Sequence, residues 1–150
     1  MRIWRISNFL DLSGIGGTIW PGRWHEKGHH VVYCADHPST SLLEIIVHAT
    51  RLTVPDEFQL IEIDVPDDIH IRSADELPAG WEKDEMRTRR IGTQFLTGGT
   101  AALFCVPSVI MPRARNYLLN PIHADASRIR IVGSDRYPFD SRLLGAHAPD

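Results

Sequence analysis

Phe58-Gln59-Leu60-Ile61-Glu62-Ile63-Asp64-Val65 alternates more cleanly than any other stretch of this 150-residue chain. Phe58, Leu60, Glu62 and Asp64 face one way, and Ile61, Ile63 and Val65 face the other. A period of two puts successive side chains on opposite faces of a sheet, so the stretch reads as a strand with one apolar face. Pro66-Asp67-Asp68 closes it, and Ile69–Ile71 reads as a short continuation.

Upstream, Arg2–Ser7 reads as a first strand, carrying Ile3, Trp4 and Ile6. It leads into the glycine-rich loop Ser13-Gly14-Ile15-Gly16-Gly17, whose spacing is wrong for a dinucleotide-fold fingerprint and which no helix pattern follows. Pro21-Gly22 marks a turn, and His30–Ala35 reads as a second strand. Asp36 to Ser41 marks a helix start, with Ser41 and Glu44 at capping-box spacing. Leu42, Leu43, Ile45, Ile46 and Val47 are apolar around much of the helix, which predicts a buried one. Arg51 to Pro55 ends it.

Downstream, Leu77 to Trp81 is a turn, and Glu82–Leu96 is predicted as a helix that Gly92 weakens and Gly98-Gly99 stops. Ala101–Val106 reads as a buried strand that Val109-Ile110-Met111 continues beyond Pro107-Ser108. Tyr117–Leu119 is brief, and Ile129–Val132 is the last clear strand. Phe139 and Leu143-Leu144 are expected to pack near the C-terminus, and His147 to Asp150 to fray. Strands outnumber helices without a repeated strand–helix rhythm. The prediction is an α+β domain, a compact mixed sheet with packed helices, spanning residues 1–150 as one unit.

Sixteen basic and nineteen acidic residues give a formal charge of −3, so nothing calls for nucleic acid or an anionic membrane. The longest strongly apolar stretch, Ala101 to Met111, is too short to span a bilayer. The N-terminus lacks a signal-peptide profile, and the default residence is cytoplasmic. Cys34 and Cys105 sit in apolar runs and read as free thiols, although two cysteines also permit one disulfide.

No metal motif or phosphate-binding glycine loop is present, and His29, His30 and His37 lack ligand spacing, so no metal is expected. Arg23 on its Pro/Gly turn is either a surface arginine or a donor fork for a pyrophosphate. Arg5, between Trp4 and Ile6, must reach solvent, an acid or an anionic ligand. Glu44 either completes the capping box or projects into a cleft. Ser108 is either a polar turn residue after Pro107 or part of a site.

These residues carry a resemblance. Gly22-Arg23-Trp24, Val31-Val32-Tyr33-Cys34-Ala35, Leu42-Leu43-Glu44, Val106-Pro107-Ser108 and Asn116-Tyr117-Leu118-Leu119-Asn120-Pro121-Ile122-His123 together resemble the RES-domain family, named for an arginine, a glutamate and a serine. The likeness runs from Trp4-Arg5 to about Pro138-Phe139, with no core element missing. It implies a compact relative of the ADP-ribosyltransferase toxins that binds NAD in a cleft between sheet and helices.

By that resemblance the catalytic residues are Arg23, Glu44 and Ser108. Arg5, Arg23, Tyr33, Ser108 and Asn116 bind the substrate, while Asn120 and His123 are structural or accessory. The implied activity is that of a toxin cleaving the nicotinamide–ribose bond of NAD, without a metal and with inorganic phosphate or water as acceptor. The implied partner is a helix-turn-helix (Xre-type) antitoxin that masks the site. Direct nucleic-acid binding and membrane association are not implied. Two alternatives stand beside this: a mono-ADP-ribosyltransferase modifying a cellular protein, and a non-catalytic antitoxin-binding or corepressor module.

Overall fold

A computed structural model describes residues 1–49 and 53–145. Seven strands form one sheet in the order β4-β5-β6-β2-β1-β3-β7. They are β1 (Arg2–Ile6), β2 (Val32–Ala35), β3 (Glu57–Asp64), β4 (Ile71–Ser73), β5 (Leu103–Pro107), β6 (Arg115–Leu119) and β7 (Arg130–Pro138). Every pairing is antiparallel except β4 with β5. Among the described residues three α-helices accompany them: α1 (Gly16–Ile19), α2 (Pro38–Ile46) and α3 (Glu85–Gly98). The architecture is the expected α+β mixed sheet.

The central strands are apolar on both faces because both faces are covered. Val32, Leu103 and Leu119 pack with Ile3, Ile61 and Ile63 in one core. Their neighbours Val31, Phe104 and Leu118 pack with Trp24, Phe95 and Leu96 in a second core. On the second face α3 lies down with Phe95 stacked on Phe104, ring centroids 4.9 Å apart.

Gly92 is where α3 meets the chain running through Trp24. A Cβ there would lie 1.7 Å from the Trp24 carbonyl oxygen. The missing side chain is what lets the helix settle, so the apparent weak point is a packing requirement.

Several expectations give way. Glu82–Leu96 divides into a single 3-10 turn, Trp81–Lys83, and α3, which Asp84 caps by accepting from the Arg87 amide. A four-residue helix, α1, does follow the glycine loop. Ile71 belongs to β4 at the far edge of the sheet and does not continue β3. β5 stops at Pro107, because the Ser108 hydroxyl takes up the amides of Ile110 and Met111 that a continuing ladder would need.

β6 has five residues and is central. β7 has nine, far more than Ile129–Val132, and pairs along the whole of β3. α2 is only half-buried: Thr40 and Ser41 are buried, whereas Ile45 is 37% and the following Val47 54% exposed. Leu143 is also exposed, in a short C-terminal 3-10 turn. Arg51 and the segment from His147 to Asp150 lie outside the described residues. Among the described residues no helix is long and apolar enough to cross a membrane.

Candidate active site

β1 and β2 share a single register pair, Trp4 with Ala35, whereas β1 and β3 share five. Where that pairing lapses, a cleft of about 760 Å³ opens, walled by Arg5 of β1, Tyr33 of β2 and Glu44 of α2. The Gly22–Trp24 loop and Asn116 of β6 complete it. Its size is within the roughly 300–1,000 Å³ of small-molecule sites.

Glu44 is the node of one wall. Its Oε1 accepts from the Ser108 hydroxyl at 3.0 Å and from the Asn116 amide at 2.7 Å. Two donors on one oxygen fix the carboxylate's direction. Its Oε2 has no hydrogen-bond partner among the described residues and is left for a ligand. Ser108 is 8% exposed, and the amides of Ile110 and Met111 occupy both its lone pairs. With its proton turned to Glu44, it is saturated as a support. Because the Asn116 NH₂ faces a carboxylate, the atom left over is its Oδ1, which is buried and unpartnered.

The capping-box reading of Glu44 is therefore overturned. His37 is the N-cap, accepting from the Ser39 amide, and α2 begins at Pro38. Ser41 lies a turn inside the helix, where its hydroxyl donates to the Trp4 carbonyl and docks α2 on β1. Glu44 is thereby free to turn to the cleft.

The opposite wall is the Gly22–Trp24 loop, held from both sides. Arg89 Nε donates to the Gly22 carbonyl at 2.8 Å, and the Thr88 hydroxyl donates to the Arg23 carbonyl at 2.8 Å. Trp24 is buried between Trp81 and Phe104. Arg23 itself donates through Nη2 to the carbonyls of Trp81 and Glu82, and its guanidinium carbon lies 5.9 Å from the Trp81 ring centroid. Its buried Nε has no partner. Arg5 reaches the Asp11 carbonyl at 3.4 Å.

The fold thus brings Arg5, Arg23, Tyr33, Glu44 and Asn116 to one cleft, with Ser108 directly behind Glu44. Asn120 and His123 are elsewhere. Asn120 is buried and donates to the Leu96 carbonyl, and His123 caps a 3-10 turn. His25 escaped the sequence reading, though it lines the cleft and bonds Tyr33. The free cysteines Cys34 and Cys105 stay thiols, burial raising both pKa values, Cys34 to about 12.

The chain as a whole is similar to known proteins. A RES-domain family profile matches residues 2–140. A protein of Pseudomonas putida named Toxin Res is 42% identical over 146 residues, covering 96% of this chain and 100% of its own. A Sphingobium protein named Prs ADP-ribosylating toxin is 36% identical, covering 89% of this chain and 87% of its own. The fold is similar, at TM-score 0.72 and 16% identity, to a chain from the crystal structure of the M. tuberculosis MbcT–MbcA toxin–antitoxin complex, covering 91% of this chain and 84% of that one.

Proposed function

The chain belongs to the RES-domain family, and on that premise we propose that it is a toxin that degrades NAD by cleaving the nicotinamide–ribose bond. The observation carrying this reading is the Glu44 carboxylate at the cleft, oriented through Oε1 by Ser108 and Asn116 and with Oε2 unpartnered among the described residues.

Cleavage sends the bonding electron pair to the nicotinamide nitrogen and leaves positive charge on the ribose. A fixed carboxylate beside that ring stabilises the charge or holds a ribose hydroxyl. Arg23 and Arg5 supply N–H donors of the kind a pyrophosphate takes. The unpaired Asn116 Oδ1 matches the NH₂ of a carboxamide. An oxygen of inorganic phosphate, or of water with loss of one proton to solvent, then bonds to the ribose carbon. The products are nicotinamide with ADP-ribose-1″-phosphate or with ADP-ribose. No step calls for a metal.

The partner is a helix-turn-helix antitoxin that covers the cleft, which exposed Trp20, Val47 and Val109 at its lining suit. Free cysteines fit a reducing, cytoplasmic setting. A second reading, transfer of ADP-ribose to a protein side chain, is favoured by the name of the Sphingobium relative.

The test is NAD consumption by the purified, partner-free chain, with and without phosphate, products identified by mass. ADP-ribose-1″-phosphate establishes phosphorolysis, and ADP-ribose establishes hydrolysis. Adenylate label on a macromolecule selects the transferase. No NAD loss from folded protein refutes degradation. Arg23→Ala is expected to raise the KM for NAD by about ten-fold or more, the loss of a charge-assisted bond. An unchanged KM would remove Arg23 from the binding set.

A further inference from the structure

His25 is 3% exposed, yet every polar atom of its ring is used. Nε2 lies 3.0 Å from the Trp20 carbonyl oxygen and 3.3 Å from that of Gly17. Carbonyls only accept, so Nε2 carries the proton. Nδ1 lies 2.8 Å from the Tyr33 hydroxyl oxygen. Burial disfavours the cation and lowers the pKa, so Nδ1 is a bare acceptor and Tyr33 donates to it. The Tyr33 oxygen in turn accepts the Trp24 amide at 3.1 Å. The bonds run one way: Trp24 N–H to Tyr33, Tyr33 O–H to His25, His25 N–H to the end of α1.

That chain crosses the loop bearing Arg23. A Cβ on Gly22 would lie 2.5 Å from the Tyr33 oxygen and 2.8 Å from His25 Nδ1, so the loop passes the pair at closest approach. We infer that His25 is a positioning residue: acting through Tyr33, it fixes the Gly22–Trp24 loop and so holds Arg23 at the cleft wall. A core histidine serving stability alone would leave the loop's own mobility, and substrate binding, unaltered.

The charged groups around the pair come from two elements. Arg89 and Glu85 stand on α3, paired with each other at 2.9 Å, and His29 lies on the approach to β2. The sign of the pH dependence follows. The folded-state pKa of His25 is below the ordinary 6.5, so its stabilisation is complete above pH 6.5 and is lost as pH falls through the folded value.

The inference rests on the NAD reading only in its kinetic arm. Tyr33→Phe removes the oxygen between Trp24 and His25. His25→Gln keeps a donor for the carbonyls of Gly17 and Trp20 but no ring acceptor for Tyr33. Hydrogen exchange by mass spectrometry on the whole chain is expected to quicken by roughly ten-fold across Gly22–Trp24 in each variant, while β3 and β7 stay protected. In His25→Gln the KM for NAD is expected to rise about five- to ten-fold with kcat within about two-fold, and exchange across Gly22–Trp24 in the double variant to be no faster than in the faster single one. His25→Gln should also lack part of the wild-type loss of stability below pH 6.5.

Unaltered exchange at Gly22–Trp24 in a folded variant, additive effects of the two substitutions on that exchange, or an unchanged KM in an active His25→Gln overturns the inference. Should wild type consume no NAD, the proposed function fails, and the exchange measurement still decides the positioning role.

Discussion

Glu44→Gln is expected to lower NAD turnover by at least about 100-fold with little change in thermal stability. The glutamine keeps the shape and an oxygen for the Ser108 hydroxyl and the Asn116 amide. What it loses is charge, at the point where positive charge develops on the ribose. Deleting one preorganised electrostatic partner of a transition state lowers kcat by about 10²–10³-fold. Turnover and the thermal midpoint, measured on the same preparation, separate the effects. Activity within a few-fold of wild type would remove Glu44 from the chemistry. A collapsed midpoint would make it a structural residue, as a cap would be.

Gly92→Ala is expected to destabilise the fold by about 3 kcal/mol, lowering the midpoint by roughly 10 °C in a chain of this size. Alanine is the better helix former by about 1 kcal/mol, and in an isolated helix the change would stabilise. Here the new carbon meets the Trp24 carbonyl oxygen at 1.7 Å and the carbonyl carbon at 2.7 Å. Both are backbone atoms in a loop pinned by Arg89 and Thr88, so helix and loop must part. A midpoint equal to or above wild type, by calorimetry, would mean that α3 docks with slack.

How far the sequence can be read depends on whether a residue's partners are local. β3 shows itself because its pleat alternates over eight residues. β7 hides because it is an edge strand: Ser134, Asp135 and Arg136 are exposed and, with Gly133, carry little β signal, and β3 supplies the pairing. The same distinction separates the site residues. Ser41 and Glu44 mimic a capping box because the motif is defined by spacing alone, whereas Glu44's partners lie 64 and 72 residues away. His25 is silent because its ligands are two carbonyls and a phenol, which leave no motif. Arg23 sat on the expected turn, but the carbonyls of Trp81 and Glu82 that engage it lie 58 and 59 residues away, and nothing local links the two turns. The family resemblance reached the cleft's residues where spacing and composition reached only alternatives.

The sheet order bears on what happens while the chain is being made. β1 and β2, which wall the cleft, share one register pair, and the other edge of β2 is closed by β6, whose residues begin at Arg115. Asn116 is on that strand and Ser108 shortly before it. A nascent chain that has left the ribosome as far as β4 therefore has Arg23 and Glu44 but neither of the donors that aim the carboxylate. Non-local pairing of this kind closes late, because chain entropy must be lost before the contacts form. Order of synthesis thus bears on assembly: the cleft is completed only once β6, Arg115–Leu119, has been made.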